Sequence, residues 1–412
     1  MGKLAIEGGK PVRKKSFPER IMFDDKEVKA VTQLIKKAAE CGTAKFLDRY
    51  AGKIVEEYER EFAKYFGRKF ATATSSGTAA IHSAIASFNF EPGTEVITSP
   101  ITDPGTVMPI IFQGLIPVFA DVDYYTLNIT AENIEKVITD RTKAVIVVHL
   151  AGVPCKMEKI VEIAKRYRLK LIEDCAQSHG SKYKGKFTGT FGDMGAFSLM
   201  SGKHMTSGGQ GGMVITDRER YYWAAKRFAD RGKPFGIKNP KGNISLGLNY
   251  RMTELEALIG KIQLRKLKKI ADRRYRIVEK LRKGFENFKS VKLWERPEDS
   301  KPNYWFCFIR VERKKLKVGK EVFAESVKAE GIPVGAHYVI PMYKNPFIKD
   351  RRTFGKSCYP WVPYRKDISY KCKMAEKALA DHMTLYIHEG WGEEEIEDTL
   401  KAFEKVEKAY LK

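Results

Sequence analysis

The segment from 197 to 212 places a single lysine among small, polar and glycine residues. It reads Phe-Ser-Leu-Met-Ser-Gly-Lys-His-Met-Thr-Ser-Gly-Gly-Gln-Gly-Gly, and its lysine is Lys203. Most lysines lie on solvated helix faces, but this one stands outside any helical pattern. A tight site there would desolvate the amine and make it nucleophilic. The adjacent His204 has no partner at metal-ligand spacing, so the segment indicates amine chemistry and predicts no metal site.

An acidic pair ends a predicted strand upstream of that lysine. Glu173 and Asp174 close the run that starts at Lys170, and Lys203 follows Asp174 by 29 residues. An acid at the carboxyl end of a parallel strand lies where open α/β sheets hold their ligands. It is also the partner that a pyridinium nitrogen needs to keep its proton. The alternative is an acid that caps the next loop, and the residue type alone leaves both open.

A third feature is the turn Ser75-Ser76-Gly77-Thr78, which precedes a small, apolar segment at 78–87. A glycine-containing turn that leads into a helix exposes free backbone N–H groups at the positive end of the helix, and that arrangement binds phosphate. The alternative is an ordinary helix start with a serine or threonine cap.

These features belong to a chain whose first two-thirds alternate between helix and strand. The spacing of apolar residues predicts helices over 26–39, 54–65, 131–137 and 157–167, and strands over 95–98, 116–120, 144–149 and 170–174. The repeated strand–helix–strand order predicts an α/β fold with a mostly parallel sheet that helices cover on both faces.

The pattern changes after Arg251. Residues 253–285 predict one long helix or two, and a strand at 305–311 and helices at 321–330 and 393–411 follow. We therefore expect a large domain with an N-terminal arm at 1–265, and a smaller α+β domain at 266–412. The segment 345–367, rich in proline, aromatic and basic residues, receives no assignment.

Composition limits the possible classes of protein. The hydrophobic fraction is 43%, the six cysteines form no CxxC pair, and the formal net charge is +24. No apolar run approaches a bilayer span and no secretory signal is visible, so we expect a cytoplasmic protein that is not bound to a membrane. Basic and acidic residues alternate along the chain, as in proteins from hot environments, and without a dedicated module we expect no nucleic-acid binding.

The order of the features is that of a fold-type I enzyme that uses pyridoxal phosphate: a phosphate turn, a strand-end acid, then a serine five residues before a lysine. From about residue 4 to its end, the chain resembles the sugar aminotransferase family often called DegT/DnrJ/StrS. The matching stretches are 4–12, 76–80, 114–123, 173–180, 197–203, 246–257 and 337–338.

The resemblance implies pyridoxal 5'-phosphate as cofactor and a seven-stranded type of sheet. It further implies transfer of an amino group from an amino acid, glutamate or glutamine, to a keto-sugar or keto-cyclitol. The opening residues 4–12 look more like the keto-cyclitol and aminobenzoate branch than the nucleotide-sugar branch.

It also implies roles for individual residues. Lys203 matches the lysine that forms a Schiff base with the cofactor, Asp174 the acid at the pyridine nitrogen, and Gln177 the residue near the ring hydroxyl. The residues that match the phosphate cup are Gly77, Thr78 and Ser198.

Asn249 matches an asparagine that reaches the cofactor phosphate of a neighbouring subunit. The resemblance therefore implies a homodimer with shared active sites. The alternative for Asn249 is a local role as a turn residue or helix cap.

The chain departs from the family pattern in two places. Asp103 stands where family members carry an aromatic residue that stacks on the cofactor ring, and Gly209-Gln210-Gly211-Gly212 replaces Gly-Glu-Gly-Gly with one extra residue after the lysine. Some family members are dehydratases with histidine in place of the lysine. The five-residue spacing from Ser198 places Lys203, and not His204, at that position, which favours the aminotransferase.

Overall fold

The computed structural model describes residues 3–42 and 53–412. Its strands before residue 217 are β1 Phe70–Thr74, β2 Glu95–Thr98, β3 Ile116–Phe119, β4 Thr142–Val148, β5 Lys170–Asp174, β6 Lys182–Tyr183, β7 Lys186–Phe187, β8 Met194–Ser198 and β9 Gly212–Thr216. Seven of them form one sheet in the order β1-β9-β8-β5-β4-β2-β3. β9 runs antiparallel to β1 and β8, and the other pairs are parallel. This confirms the predicted α/β fold.

Helices that precede or follow these strands are α1 Asp25–Glu40, α2 Ile54–Phe66, α3 Gly77–Ala86, α4 Pro104–Phe112, α5 Ala131–Glu135, α6 Met157–Arg166 and α7 Glu219–Phe228. The helices and strands predicted from spacing are present within a few residues of their expected ends. The predictions from sequence missed β1, β6, β7, β8, β9, α4 and α7. β8 reads Met-Gly-Ala-Phe-Ser, which lacks β-branched residues, and α4 contains Pro109; such composition hides an element from pattern reasoning.

One continuous helix, α8 Glu254–Phe285, joins the two parts of the chain and resolves the open alternative. Thr253 begins it with a capping box, in which the Thr253 side chain accepts from the Glu256 N–H and the Glu256 carboxylate accepts from the Thr253 N–H. Its 32 residues give a length of about 48 Å. The expected division between residues 265 and 266 falls inside this helix, and it stays a prediction.

The last part of the chain contains a small antiparallel sheet and several helices. In chain order, the elements of this part are β10 Val291–Leu293, β11 Ser300–Lys301, β12 Cys307–Val311, α9 Lys320–Ala329, β13 Val334–Gly335, α10 Pro346–Lys349, α11 Trp361–Tyr364, α12 Lys373–Asp381, β14 His382–Leu385 and α13 Glu393–Tyr410. The sheet order is β10-β12-β14-β13, while β11 pairs with the β6–β7 hairpin. The unassigned segment 345–367 thus contains the short helices α10 and α11.

One group of buried apolar side chains extends from β2, β3 and β4 into β12, β14 and α13, so the two sheets share a core. Ile97 on β2 and Phe308 on β12 are both fully buried members of it. Within 3–42 and 53–412, every helix is too short or too polar to traverse a lipid bilayer.

Candidate active site

The turn before α3 and the end of β8 meet at the carboxyl edge of the large sheet. A Cβ added to Gly77 would lie 2.6 Å from the Cβ of Ser198, so only glycine allows this approach. Ser76 caps α3 by accepting a hydrogen bond from the Ala79 N–H at 3.1 Å. The N–H groups of Gly77 and Thr78 belong to the first turn of the helix, where N–H groups have no acceptor within the helix, so they point out of its positive end.

A second helix begins beside this turn. α4 starts after Asp103, whose Oδ1 accepts from the Gly105 N–H at 2.8 Å. A Cβ on Gly105 would lie 2.6 Å from the Oγ1 of Thr78, which shows how closely the starts of α3 and α4 approach. Two helix N-termini and the Ser198 hydroxyl therefore surround one region, as a phosphate cup requires.

Asp174 lies at the end of β5, with its carboxylate buried. Its Oδ2 accepts from the Thr106 hydroxyl at 2.7 Å, and its Oδ1 accepts from the Ala176 N–H at 3.0 Å. Thr102 contacts the Thr106 oxygen at 2.7 Å behind this pair. Burial raises the pKa of Asp174 above its ordinary value, and the two hydrogen bonds counteract it only in part.

The neighbouring Glu173 belongs to the opposite face of the sheet, because successive side chains of a strand alternate. Its two oxygens accept from the backbone N–H groups of Gly189, Phe191 and Gly192 at 2.7–2.8 Å and contact His149 Nε2 at 3.0 Å. Burial acts to raise the pKa of Glu173, but these donors outweigh it and the pKa lies below its ordinary value.

His149, Glu173 and Cys175 lie close enough together for a metal ion. However, His149 Nδ1 accepts from the Cys155 N–H at 3.1 Å, so its other ring nitrogen, Nε2, carries the hydrogen that is donated to Glu173. Both ring nitrogens of His149 and both oxygens of Glu173 therefore already have hydrogen-bond partners.

Lys203 is 7% exposed, in contrast to most lysines of the chain. Burial lowers its pKa to about 8, although the carboxylates of Asp174 and Asp103 act in the other direction. Its Nζ lies 3.5 Å from the ring centre of Trp305. About a tenth of an amine with this pKa is uncharged at pH 7, far more than of an ordinary lysine, and the uncharged form is the one that acts as nucleophile and general base.

The N-terminal arm, residues 3–24, holds the backbone of this lysine. Arg20 donates to the carbonyl oxygens of Gly202 at 3.1 Å and Lys203 at 2.8 Å, and its Nε donates to Glu389 at 2.9 Å. Glu389 also accepts from Arg274 on α8 at 2.7 Å. The lysine loop is therefore fixed by residues from both ends of the chain.

Gln177 is buried beside the same strand end. Its Oε1 accepts from the Ala151 N–H at 2.6 Å, and its Nε2 donates to the Tyr338 hydroxyl at 3.1 Å. Tyr338 was part of a matching stretch, and the structure places it against the site, while His337 is exposed.

His204 faces away from any acceptor: it is fully buried, and both of its ring nitrogens lack a hydrogen-bond partner among the described residues. Burial, and then the positive charge of Arg274, hold its pKa well below the ordinary value. Its ring centre lies 5.6 Å from that of His179, whose Nε2 contacts the Ser198 carbonyl at 2.7 Å.

Asn249 is exposed in the single chain. The next residue, Tyr250, accepts from the Ser75 N–H with its carbonyl at 2.7 Å, and its hydroxyl contacts His82 on α3 at 3.0 Å. The loop before α8 therefore lies beside the chain's own phosphate turn, a proximity that sequence separation did not suggest.

The structure thus brings Gly77, Thr78, Asp174, Gln177, Ser198 and Lys203 together at one sheet edge. Sequence reasoning missed Arg20, Thr106 and Trp305, which lie far along the chain from Lys203 and carry no local signal. Of these, Thr106 could have been suspected as a hydroxyl near the expected ligand-binding edge, had the Pro-Gly start of α4 been recognised as a helix N-terminus.

The residues present fit pyridoxal phosphate. The Gly77–Ser198 approach and two helix N-termini suit its phosphate, the buried Asp174 suits its ring nitrogen, and the buried amine of Lys203 suits its aldehyde. With the fold, this site defines a fold-type I enzyme of the pyridoxal phosphate class.

The DegT/DnrJ/EryC1/StrS aminotransferase family model matches residues 29–404, so the chain belongs to this family of pyridoxal-phosphate-dependent aminotransferases. A GDP-perosamine synthase from Escherichia coli O157:H7 is 34% identical over 72% of this chain and 81% of its own length. A putative L-glutamine:3-amino-2,3-dideoxy-scyllo-inosose aminotransferase from Micromonospora echinospora is 27% identical over 98% and 97%. Among solved structures, the aminotransferase from Psychrobacter cryohalolentis superposes with a TM-score of 0.85 at 28% identity, covering 95% of this chain and 99% of that one.

Proposed function

We propose that the chain moves an amino group from glutamate or glutamine to the carbonyl of a keto-sugar or keto-cyclitol. The observation that carries this proposal is the meeting of the phosphate turn, the buried Asp174 and the buried Lys203 at one sheet edge. The likeness to a perosamine synthase and to an inosose aminotransferase supports a polyhydroxylated ketone as acceptor.

Each residue has a defined task in this proposal. When bound, pyridoxal phosphate supplies an electron sink for bond breaking at the α-carbon of the amino donor. Lys203 Nζ would hold it covalently, and the same amine would take up and return the proton of that α-carbon. Asp174 would keep the ring nitrogen protonated, and Gln177 would serve the ring hydroxyl. The N–H groups of α3 and the Ser198 hydroxyl would bind the phosphate.

The position of Lys203 also favours an aminotransferase over the dehydratase alternative. The amine of Lys203 interacts electrostatically with Asp174, whereas His204 is enclosed behind the loop with its pKa well below the ordinary value. An imidazole that is enclosed in this way does not reach the cofactor, so it cannot move the proton there in place of the lysine.

The test has two stages. Borohydride treatment of the cofactor-loaded protein should attach the pyridoxyl group irreversibly to Lys203, as peptide mass spectrometry would show. A panel of amino donors and keto-sugars or keto-cyclitols, followed by the absorbance of the bound cofactor, then identifies the substrates. The assignment would be overturned if the pyridoxyl group were attached to another lysine, or if Lys203→Ala kept the activity of the wild type.

We further propose a homodimer in which Asn249 of one subunit reaches the phosphate cup of the other. Support comes from the exposure of Asn249 and of the apolar Ile244, Leu246 and Leu248 in the same loop, a surface that a second copy would cover.

The six cysteines are free thiols, which supports a reducing compartment such as the cytoplasm.

A mixing experiment distinguishes the shared site from contact within one chain. Lys203→Ala and Asn249→Ala chains are mixed, and subunit exchange is verified by mass spectrometry. If Asn249 acts on the partner's site, a mixed dimer contains one intact site, and activity rises above that of either parent. No recovery would assign Asn249 to its own chain, beside Ser75.

A further inference from the structure

Three hydrogen bonds hold Trp305 in place beside Lys203. Its backbone N–H donates to the Ala151 carbonyl at 2.8 Å, and its carbonyl accepts from Arg274 at 3.1 Å. Its indole Nε1–H donates to the Gly202 carbonyl at 3.0 Å. These bonds fix both the position and the orientation of the ring.

The fixed ring presents its face to the amine of the lysine. The Nζ of Lys203 lies 3.5 Å from the ring centre, well inside the distance of about 6 Å at which an ammonium is attracted to an aromatic face. Tryptophan is the strongest aromatic partner for such a cation, and burial strengthens the attraction because water does not compete.

We propose that Trp305 is a positioning residue for Lys203: its indole face receives the protonated amine whenever that amine is not covalently engaged, and its N–H holds the adjoining backbone. This inference rests on the proposed function, because it concerns the lysine assigned to the cofactor.

Two carboxylates compete with the indole ring of Trp305 for the amine of Lys203. Asp174 from β5 and Asp103 from the start of α4 both attract the amine, and Arg20 contributes a positive charge at the lysine's own backbone. The buried rings of His179 and His204 are neutral, since burial lowers the pKa of both. The two carboxylates would draw the amine toward the cofactor side, and the indole face gives it a separate resting place near Gly202.

The consequence is a change in the balance between the charged and neutral amine. Burial lowers the pKa of Lys203 to about 8, while an aromatic face that stabilises the ammonium acts to raise it. Loss of the face should therefore lower the protonation midpoint by about one pH unit, a tenfold change in proton affinity.

The test uses the full-length protein without cofactor. The rate of acetylation of Lys203 is measured against pH by peptide mass spectrometry in the wild type, Trp305→Phe and Trp305→Leu. Phenylalanine keeps a ring face without the N–H, and leucine keeps only apolar bulk. We expect the midpoint to fall in Trp305→Leu and to stay closer to the wild type in Trp305→Phe. Trp223→Leu, which removes an indole elsewhere, is the matched control and should leave the midpoint unchanged.

Equal midpoints in the wild type and Trp305→Leu, or equal shifts in the two Trp305 variants, would overturn the proposal. A second measurement needs no change at Trp305: the indole fluorescence of the cofactor-free wild type should titrate with the Lys203 midpoint, and Lys203→Met should abolish that titration. If the fluorescence does not follow Lys203, the proposal is wrong even where a Trp305 variant fails to fold. Borohydride attachment at another lysine would overturn the proposed function alone, because the acetylation result describes Lys203 whatever its role.

Discussion

The two faces of the large sheet at the end of β5 each enclose one carboxylate, and they treat it differently. Behind the strand, Glu173 accepts four hydrogen bonds, three from backbone N–H groups and one from His149. In front, Asp174 accepts two, from Thr106 and Ala176. Both side chains are buried, yet the pKa of Glu173 lies below its ordinary value and that of Asp174 above it.

The difference separates a structural carboxylate from one that is available for chemistry. A buried carboxylate with all its lone pairs occupied stabilises the fold and has nothing left to offer a ligand. A buried carboxylate with few donors gains a strong partner when a protonated ring nitrogen arrives. Adjacent acids in one sequence motif therefore perform separate tasks because the strand directs them to opposite faces.

The largest expected effect is the loss of activity in Asp174→Asn. An amide cannot supply the charge that keeps the ring nitrogen protonated, so we expect turnover to fall by roughly a thousandfold, about 4 kcal/mol of activation free energy. The cofactor-free variant should unfold at the wild-type urea concentration or higher, because the buried charge it removes is poorly compensated. Near-normal turnover would assign the ring nitrogen to another residue.

Glu173→Gln should give the converse result. The amide places an N–H₂ group against backbone donors, so we expect the free energy of unfolding to fall by about 3 kcal/mol. Turnover per folded molecule should change little, because Glu173 faces away from the cup. Urea unfolding of the cofactor-free protein and titration of active sites measure the two quantities. A variant with full stability and lost turnover would reverse the comparison.

A smaller effect is expected from Thr106→Val, which removes one of the two donors to Asp174 while preserving side-chain shape. The lost bond to a charged acceptor should weaken cofactor binding by about tenfold. Thr106→Ser retains the hydroxyl and should restore most of the affinity. Equilibrium binding followed by cofactor absorbance gives both constants, and equal weakening in the two variants would assign the effect to packing.

The smallest effect concerns the pH dependence of stability in the cofactor-free protein. The folded pKa of Glu173 lies below the ordinary 4.5, so its contribution is present above that value and is lost as the pH falls through the folded pKa. Asp174 behaves oppositely: the fold binds its proton more tightly, so stability declines as the pH rises from 3.8 through its raised pKa. Subtracting the urea-unfolding curve of each variant from that of the wild type isolates the two slopes, which should have opposite signs.

Local signals were enough to predict part of this site. Lys203, Asp174 and Gly77 each stand in a short motif whose residue types state the chemistry, and the alternating elements predicted the sheet edge that unites them. The roles of Arg20, Thr106 and Trp305 were not predicted, because each acts through a contact with a residue about 70 to 180 positions away, and only Thr106 had a signal nearby, the Pro-Gly start of α4. The strand β8, which carries Ser198, was missed since glycine and alanine pack there without the β-branched signal.

The Asp103 position illustrates a limit of another kind. Its departure from the family's aromatic residue was visible in the sequence, but its task in the fold was not. In the structure Asp103 is the N-cap of α4, and its carboxylate is bonded to Gly105. The residue thus serves the helix whose start adjoins Thr78, whatever else contacts the cofactor ring.

The clamp on the lysine loop has a consequence for how the polypeptide is made. Arg20 donates hydrogen bonds both to the lysine loop and to Glu389, and 369 positions separate Arg20 from Glu389. A nascent chain leaves the ribosome from its N-terminus, so Arg20 and Lys203 are both synthesised well before Glu389, and the contact between Arg20 and Glu389 forms only after most of the remaining half has been translated. Release of a product truncated ahead of residue 389 would leave every recognisable motif in place and yet lack the carboxylate that anchors Arg20.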